Sequence, residues 1–149
     1  MFELRVVYPS IEEEERIVTS TPSDTEAVIQ PVLSGAEVLD LQHLVRRIPA
    51  PPSLVTYAVR VVRSTRPGDV NATPDIRKYL SYGAGPRASQ YLVLGAKARA
   101  AMDGRSVPDL DDVRAIAMAV LRHRVVLNFQ AEAEGVGADV LVEQVLKGR

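Results

Sequence analysis

The chain has 149 residues, no cysteine, two histidines and a formal net charge of −1. That length permits one domain, or one domain with an appendage, and it can bury a core without disulfides or a structural metal. The composition excludes a disulfide framework, a thiolate nucleophile and a multi-histidine metal site, and no apolar run approaches the ~20 residues that span a bilayer.

The start, Phe2-Glu3-Leu4-Arg5-Val6-Val7-Tyr8, is β-prone and partly alternating, so one short strand is expected, ended by Pro9 and Ser10, which must pair with something or lie extended over the helices. An acidic residue at Glu3 and a charged run from Glu12 to Arg16 do not resemble a secretory signal, and a cytoplasmic protein is expected. Ser10 stands three residues before Glu13, the capping-box spacing, and opens an acidic helix over 11–20. Pro22, Ser23 and Pro31 make 21–32 a linker-like loop. Ser34 and Glu37 repeat the capping spacing before a helix with Val38, Leu41, Val45 and Ile48 on one face. Arg46 and Arg47 close it, where cations suit the helix dipole. Pro52 opens the next helix, in which Leu54, Ala58, Val61, Val62 and Thr65 recur at helical spacing.

Residues 66–75 hold Pro67-Gly68-Asp69 and Asn71-Ala72-Thr73-Pro74, a turn-rich loop, with a weak helical turn after it. Gly83-Ala84-Gly85-Pro86-Arg87 precedes a helix to Asp103 whose expected buried face is Ala88, Tyr91, Leu92, Gly95, Ala98 and Met102. Gly104 is its natural C-terminal stop, and Asp109 the cap of a helix carrying Val113, Ile116, Ala117, Val120 and Leu121. Val125-Val126-Leu127 is ambiguous between strand and helix, Gly135 and Gly137 mark a turn, and a last helix over 138–147 buries Leu141, Val142, Val145 and Leu146. The fold class is therefore all-α: a bundle of five or six helices with a short strand-like N-terminal segment.

The charge is uneven along this bundle. Residues 1–45 sum to −7, residues 46–105 to +8 and residues 106–149 to −2, and fifteen of the eighteen bases are arginine. Arginine is suited to forked recognition of phosphate or carboxylate, so the middle segment invites an anionic partner. No P-loop, His-Glu-x-x-His or Gly-x-Ser-x-Gly pattern occurs in the chain. Four glutamates at 12–15 read as a solvated helix start.

The informative motif is Gly83-x-Gly85-Pro86-Arg87. With Gly85 as cap and Pro86 in the first helical position, Arg87 falls in the first turn, where a cation is disfavoured by ~0.3–1 kcal/mol. Free backbone N–H groups and a guanidinium at one helix start make an anion site, the alternative being an arginine that bends to a carboxylate or to solvent. His123 reads as a cationic cap at a helix end, Arg63 and Arg66 likewise, and His43 as a structural or exposed flank residue.

Several of these segments together resemble MoxR-type AAA+ ATPases. Phe2-Glu3-Leu4 with Tyr8-Pro9-Ser10 and the glutamates resembles the junction after that family's core. Ser64-Thr65-Arg66, Ser81-Tyr82-Gly83-Ala84-Gly85-Pro86-Arg87-Ala88, Gly104-Arg105 with Val107-Pro108 and Asp111-Asp112-Val113, and Val120 to Arg124 resemble its C-terminal lid, in the expected order. The resemblance implies that 1–10 is a remnant strand and junction from the core and 11–149 the helical lid. It implies that Arg87 is the sensor 2 arginine, the catalytic contribution of this segment, and that Gly85, Pro86, Arg87 and Ala88 form the nucleotide-binding motif, with Gly85 where the family has serine.

The cofactor so implied is ATP, with Mg²⁺ in the full-length protein and no metal ligand in this segment. The implied parent is a chaperone-like ATPase in a homo-oligomeric ring, taken as a hexamer, that matures partners with von Willebrand factor A domains. The segment alone would be inactive. The alternatives are a helical protein-interaction module, or a nucleic-acid-binding module using the basic middle.

Overall fold

A computed structural model describes residues 2–20 and 29–148. Among them are eight helices: α1 (Ile11–Ser20), α2 (Gly35–Arg47), α3 (Pro52–Ser64), α4 (Pro74–Tyr79), α5 (Pro86–Met102), α6 (Leu110–Leu121), α7 (Phe129–Ala133) and α8 (Ala138–Lys147). Two short strands, β1 (Leu80–Tyr82) and β2 (Val126–Leu127), pair antiparallel and place Leu80 opposite Leu127. The all-α class holds.

Local chemistry accounts for most boundaries. Ser34 and Glu37 form the reciprocal capping box at α2, and Asp109 and Asp112 form another at α6. Pro52, Pro74 and Pro86 occupy first helical positions, where no N–H is missed. Gly104, at φ +70°, ends α5: its N–H donates to Ala101 O (3.0 Å) while Arg105 N–H donates to Ala100 O (2.8 Å). That paired reversal needs a left-handed residue, which glycine supplies without strain.

The core lies among α3, α5, α6 and α8. Leu54, Val61 and Val62 of α3, Leu92 and Ala96 of α5, Val113, Val120 and Leu121 of α6 and Leu141, Val142 and Val145 of α8 are all buried. The strand pair and α4 close one end with Ile76 and Leu80, both buried. Asp112 is buried too, held by Arg105 through two hydrogen bonds of 2.6 and 2.8 Å that keep its carboxyl below the usual range.

The structure differs from the sequence reading in the N-terminal segment and on α5, and adds to it at α2 and α7. The N-terminal segment forms no strand: residues 2–9 are neither helix nor strand, and Glu3 N–H donates to Ala119 O (2.8 Å) of α6. A strand needs a neighbouring ladder, which the described residues do not offer there. The stripe on α2 is not buried; Val38 and Leu41 are exposed and Val45 and Ile48 only half-buried. On α5, Met102 is 87% exposed while Ala96 and Ala100 are fully buried. Both α3 and α6 pack on α5, so its buried surface is wider than one periodic stripe, and small residues fill it. Finally, α7 went unpredicted; five residues with an Asn128 cap are too short for periodicity to register. The loop expected over 21–32 falls largely outside the described residues.

Candidate basic groove at the start of helix α5

Gly85 caps α5 with extended backbone and no side-chain hydrogen bond at the cap, and Pro86 follows at the first position. Arg87 therefore stands in the first turn, as its spacing implies. It is exposed, and its guanidinium has no hydrogen bond or ion pair among the described residues. The bend to a carboxylate, open as an alternative at the level of sequence, is not taken. Ala88, directly behind it, is fully buried and anchors the turn to the core.

Arg87 lines a groove of about 1040 Å³ together with Arg46, Arg63, Arg66 and Lys97; its apolar wall is Val55, Val59 and Leu94. Among the described residues no acidic one lines it. The five cations differ in freedom. Arg63 Nε donates to Asp69 at 2.7 Å, and that contact, after the Asn71 N–H, holds the Asp69 carboxyl down at about 2. Arg66 Nε donates to Ala84 O at 3.0 Å, and Lys97 Nζ reaches Arg46 O at 3.4 Å. Among the described residues the Arg46 guanidinium, like that of Arg87, has no partner, and a positive groove with an unengaged guanidinium at a helix start can receive an anion.

The segment just before α5 is held firmly. Thr65, fully buried, donates its hydroxyl to Val62 O (2.6 Å) and accepts from Ala84 N–H (2.9 Å). Gly83 has no room for a side chain, since a Cβ would lie 2.3 Å from Thr65 O. The motifs Ser64-Thr65-Arg66 and Gly83-Ala84 are thus one structural corner.

The comparisons with known proteins agree with this architecture. The family described as AAA lid domain matches residues 74–145, which run from the start of α4 into α8. Chaperone MoxR1 of Mycobacterium tuberculosis is 33% identical over 147 residues, covering 99% of this chain and 39% of that protein. The chain carries a MoxR-type AAA lid domain. The uncharacterised YeaC of Bacillus subtilis is 30% identical over 98% of the chain and 43% of its own length. A solved Cytophaga hutchinsonii protein described as a candidate ATPase superposes with a TM-score of 0.84 at 28% identity, over 99% of this chain and 45% of that one. The chain spans less than half the length of each of these relatives.

Within the lid, the structure brings Gly85, Pro86, Arg87 and Ala88 together as one helix start, as the motif implies. It also adds residues that sequence reasoning did not join to them. Arg46, Arg63 and Arg66 read individually as helix caps, and Lys97 carried no signal. Only the packing of α2 and α3 against α5 sets them along one groove. His123 is a correction. It lies in the turn after α6, and burial, then the charge of Arg124, push its pKa below the ordinary value despite Glu3 Oε2 at 3.8 Å. Burial there disfavours the charged ring, which runs against its reading as a cationic cap. His43 is exposed on α2.

Proposed function

We propose that this lid closes over ATP held by a AAA+ core of the same protein and that Arg87 is the sensor 2 arginine. Residues 1–10 form the junction to that core and 11–149 the lid. The observation that carries the reading is the exposed Arg87 guanidinium at the start of α5, which among the described residues has no hydrogen-bond or ion-pair partner and shares its groove with no acid. Such a group is costly to the fold where it stands and gains when a phosphate arrives. Charge builds on the γ-phosphoryl oxygens and the leaving oxygen during transfer, so a guanidinium aimed there stabilises the transition state more than the ground state. Gly85 leaves the helix start open, with nothing within 4 Å of where a Cβ would be, so a phosphate has backbone access. Mg²⁺ would accompany the nucleotide; no group of three histidine or acidic side chains able to hold a metal occurs among the described residues.

The parent protein is read as a cytoplasmic, chaperone-like ATPase that works as a ring, in which lid rotation on hydrolysis passes strain between subunits to mature partner proteins. Chaperone MoxR1 and the lid family support that class of activity.

The test is Arg87→Ala in the ATPase that carries this lid. Turnover should fall on the order of 100-fold, the scale of losing one preorganised donor. Thermal unfolding should meanwhile be unchanged or stabilised by about 0.3–1 kcal/mol, because a first-turn cation has been removed. Unaltered turnover would overturn the assignment. The five cations also favour a second reading, a nucleic-acid groove. DNA affinity that drops steeply with salt would support it, and no binding at low salt would remove it.

A further inference from the structure

Arg87 has no side-chain partner among the described residues, so only the backbone from which it projects controls its aim. That backbone is set by the corner between α3 and the segment before α5. Two consecutive residues at the end of α3 hold both polar backbone groups of Ala84. The Thr65 hydroxyl accepts the Ala84 N–H at 2.9 Å, and Arg66 Nε donates to the Ala84 carbonyl at 3.0 Å. Ala84 is itself buried, and Gly83 lies directly on the Thr65 carbonyl. The Thr65 hydroxyl is also spent on Val62 O at 2.6 Å, so its rotor is locked and its lone pair points one way. Beyond Ala84 only Gly85 and Pro86 precede Arg87, and the proline ring fixes its own φ. Gly85 is then the one permissive joint between a locked corner and the arginine.

We infer that Thr65 is a positioning residue for the nucleotide site: its buried hydroxyl, through Ala84, sets the direction in which the first turn of α5 presents Arg87 to the γ-phosphate. The inference rests on the reading of Arg87 given above. It assigns the Ser64-Thr65-Arg66 motif a role in the site rather than in helix capping alone.

The experiment uses the full-length ATPase. Preference for ATP over ADP and kcat are measured for wild type, Thr65→Val, Thr65→Ser and Arg87→Ala, at a temperature where circular dichroism shows every variant folded. Valine keeps the shape and removes the hydroxyl; serine keeps the hydroxyl. Thr65→Val should lower both the ATP preference and kcat by roughly tenfold, the scale of a misaimed catalytic group, and Thr65→Ser should restore them. Thr65→Val added to Arg87→Ala should cost nothing further, because both act through one contact. If Thr65→Val does not fold, the Thr65→Ala and Thr65→Ser pair isolates the hydroxyl in the same way. A folded hydroxyl-less variant with unchanged ATP preference, while Arg87→Ala loses it, overturns the positioning role and leaves the Arg87 reading standing. So does full additivity of the two substitutions. An Arg87→Ala protein that keeps its ATP preference overturns both.

Discussion

Helix α2 sets Val38, Leu41, Val45 and Ile48 at helical spacing, and α6 sets Val113, Ile116, Ala117, Val120 and Leu121 in the same way, yet only the second stripe is buried. The contrast extends to whole regions. From residue 2 to 48 no described residue is fully buried, and Leu4, Val6, Val7, Tyr8, Ile11, Val18 and Leu39 are exposed. From Leu54 to Val145 the apolar residues converge on one core. The first region touches the second at a few points: Phe2 against Gly95, Glu3 on Ala119, Arg5 on Asp139 at 3.3 Å, and α2 against α5 across an apolar groove of about 520 Å³. Periodicity tells which face of a helix is apolar. Whether that face is covered depends on how many other elements reach it.

The sharpest way to break the comparison is to truncate one leucine in each region. Leu121→Ala, fully buried, should destabilise by about 2–5 kcal/mol in urea unfolding, since transfer and cavity terms add. A loss no larger than that of a surface site would mean that the core does not lie where α3, α5, α6 and α8 meet.

The next largest effect concerns two glycines. Gly83→Ala forces a Cβ onto backbone, with Thr65 O at 2.3 Å, and should cost roughly 3 kcal/mol. Gly95→Ala meets only the ends of the Ile116 and Phe2 side chains, at 2.4 and 2.7 Å, which can move. It should cost less and should release the N-terminal segment to proteolysis. Equal melting temperatures for the two variants would contradict the rigidity of the corner.

Acid should separate the regions next. Asp112 and Asp69 both have carboxyls held below the ordinary range, Asp69 at about 2. A folded pKa below the unfolded one contributes stability that is present above about pH 4 and is lost as the pH falls toward the folded value. Urea midpoints should therefore drop between about pH 4 and pH 2, and Asp112→Asn should flatten that slope while costing about 2 kcal/mol at pH 7. An acid profile identical to wild type would remove the Arg105 pair from the account of stability. The smallest effect belongs to α2: Leu41→Ala should stay within about 0.5 kcal/mol, and a loss above that would place α2 in the core.

Much of the helical framework was legible because its signals are local. Ser34 with Glu37, Asp109, Pro52, Pro86 and Gly104 act on backbone groups within a few residues. The stripes on α3, α6 and α8 were legible where one face alone is buried. The α5 face was misread at Met102, Ala96 and Ala100 because two helices pack on it from different sides. At the site, Arg87 stood out because a first-turn cation contradicts the helix dipole. The companions Arg46, Arg63, Arg66 and Lys97 did not, because each alone satisfies a local rule or none.

The sequence by itself determined where the longer helices begin and end, which residues open α5 and the order of the motifs that mark a MoxR-type lid. Those depend on interactions reaching three or four residues. The tertiary structure alone decided that the N-terminal segment is tied to α6 through Glu3 rather than set in a ladder and that the α2 stripe stays open. It also decided that Leu80 pairs with Leu127, and that Thr65 closes on Ala84 beneath a groove of five cations. Each of these requires groups far apart in the chain to meet, and only the packing of helices against one another brings them within reach.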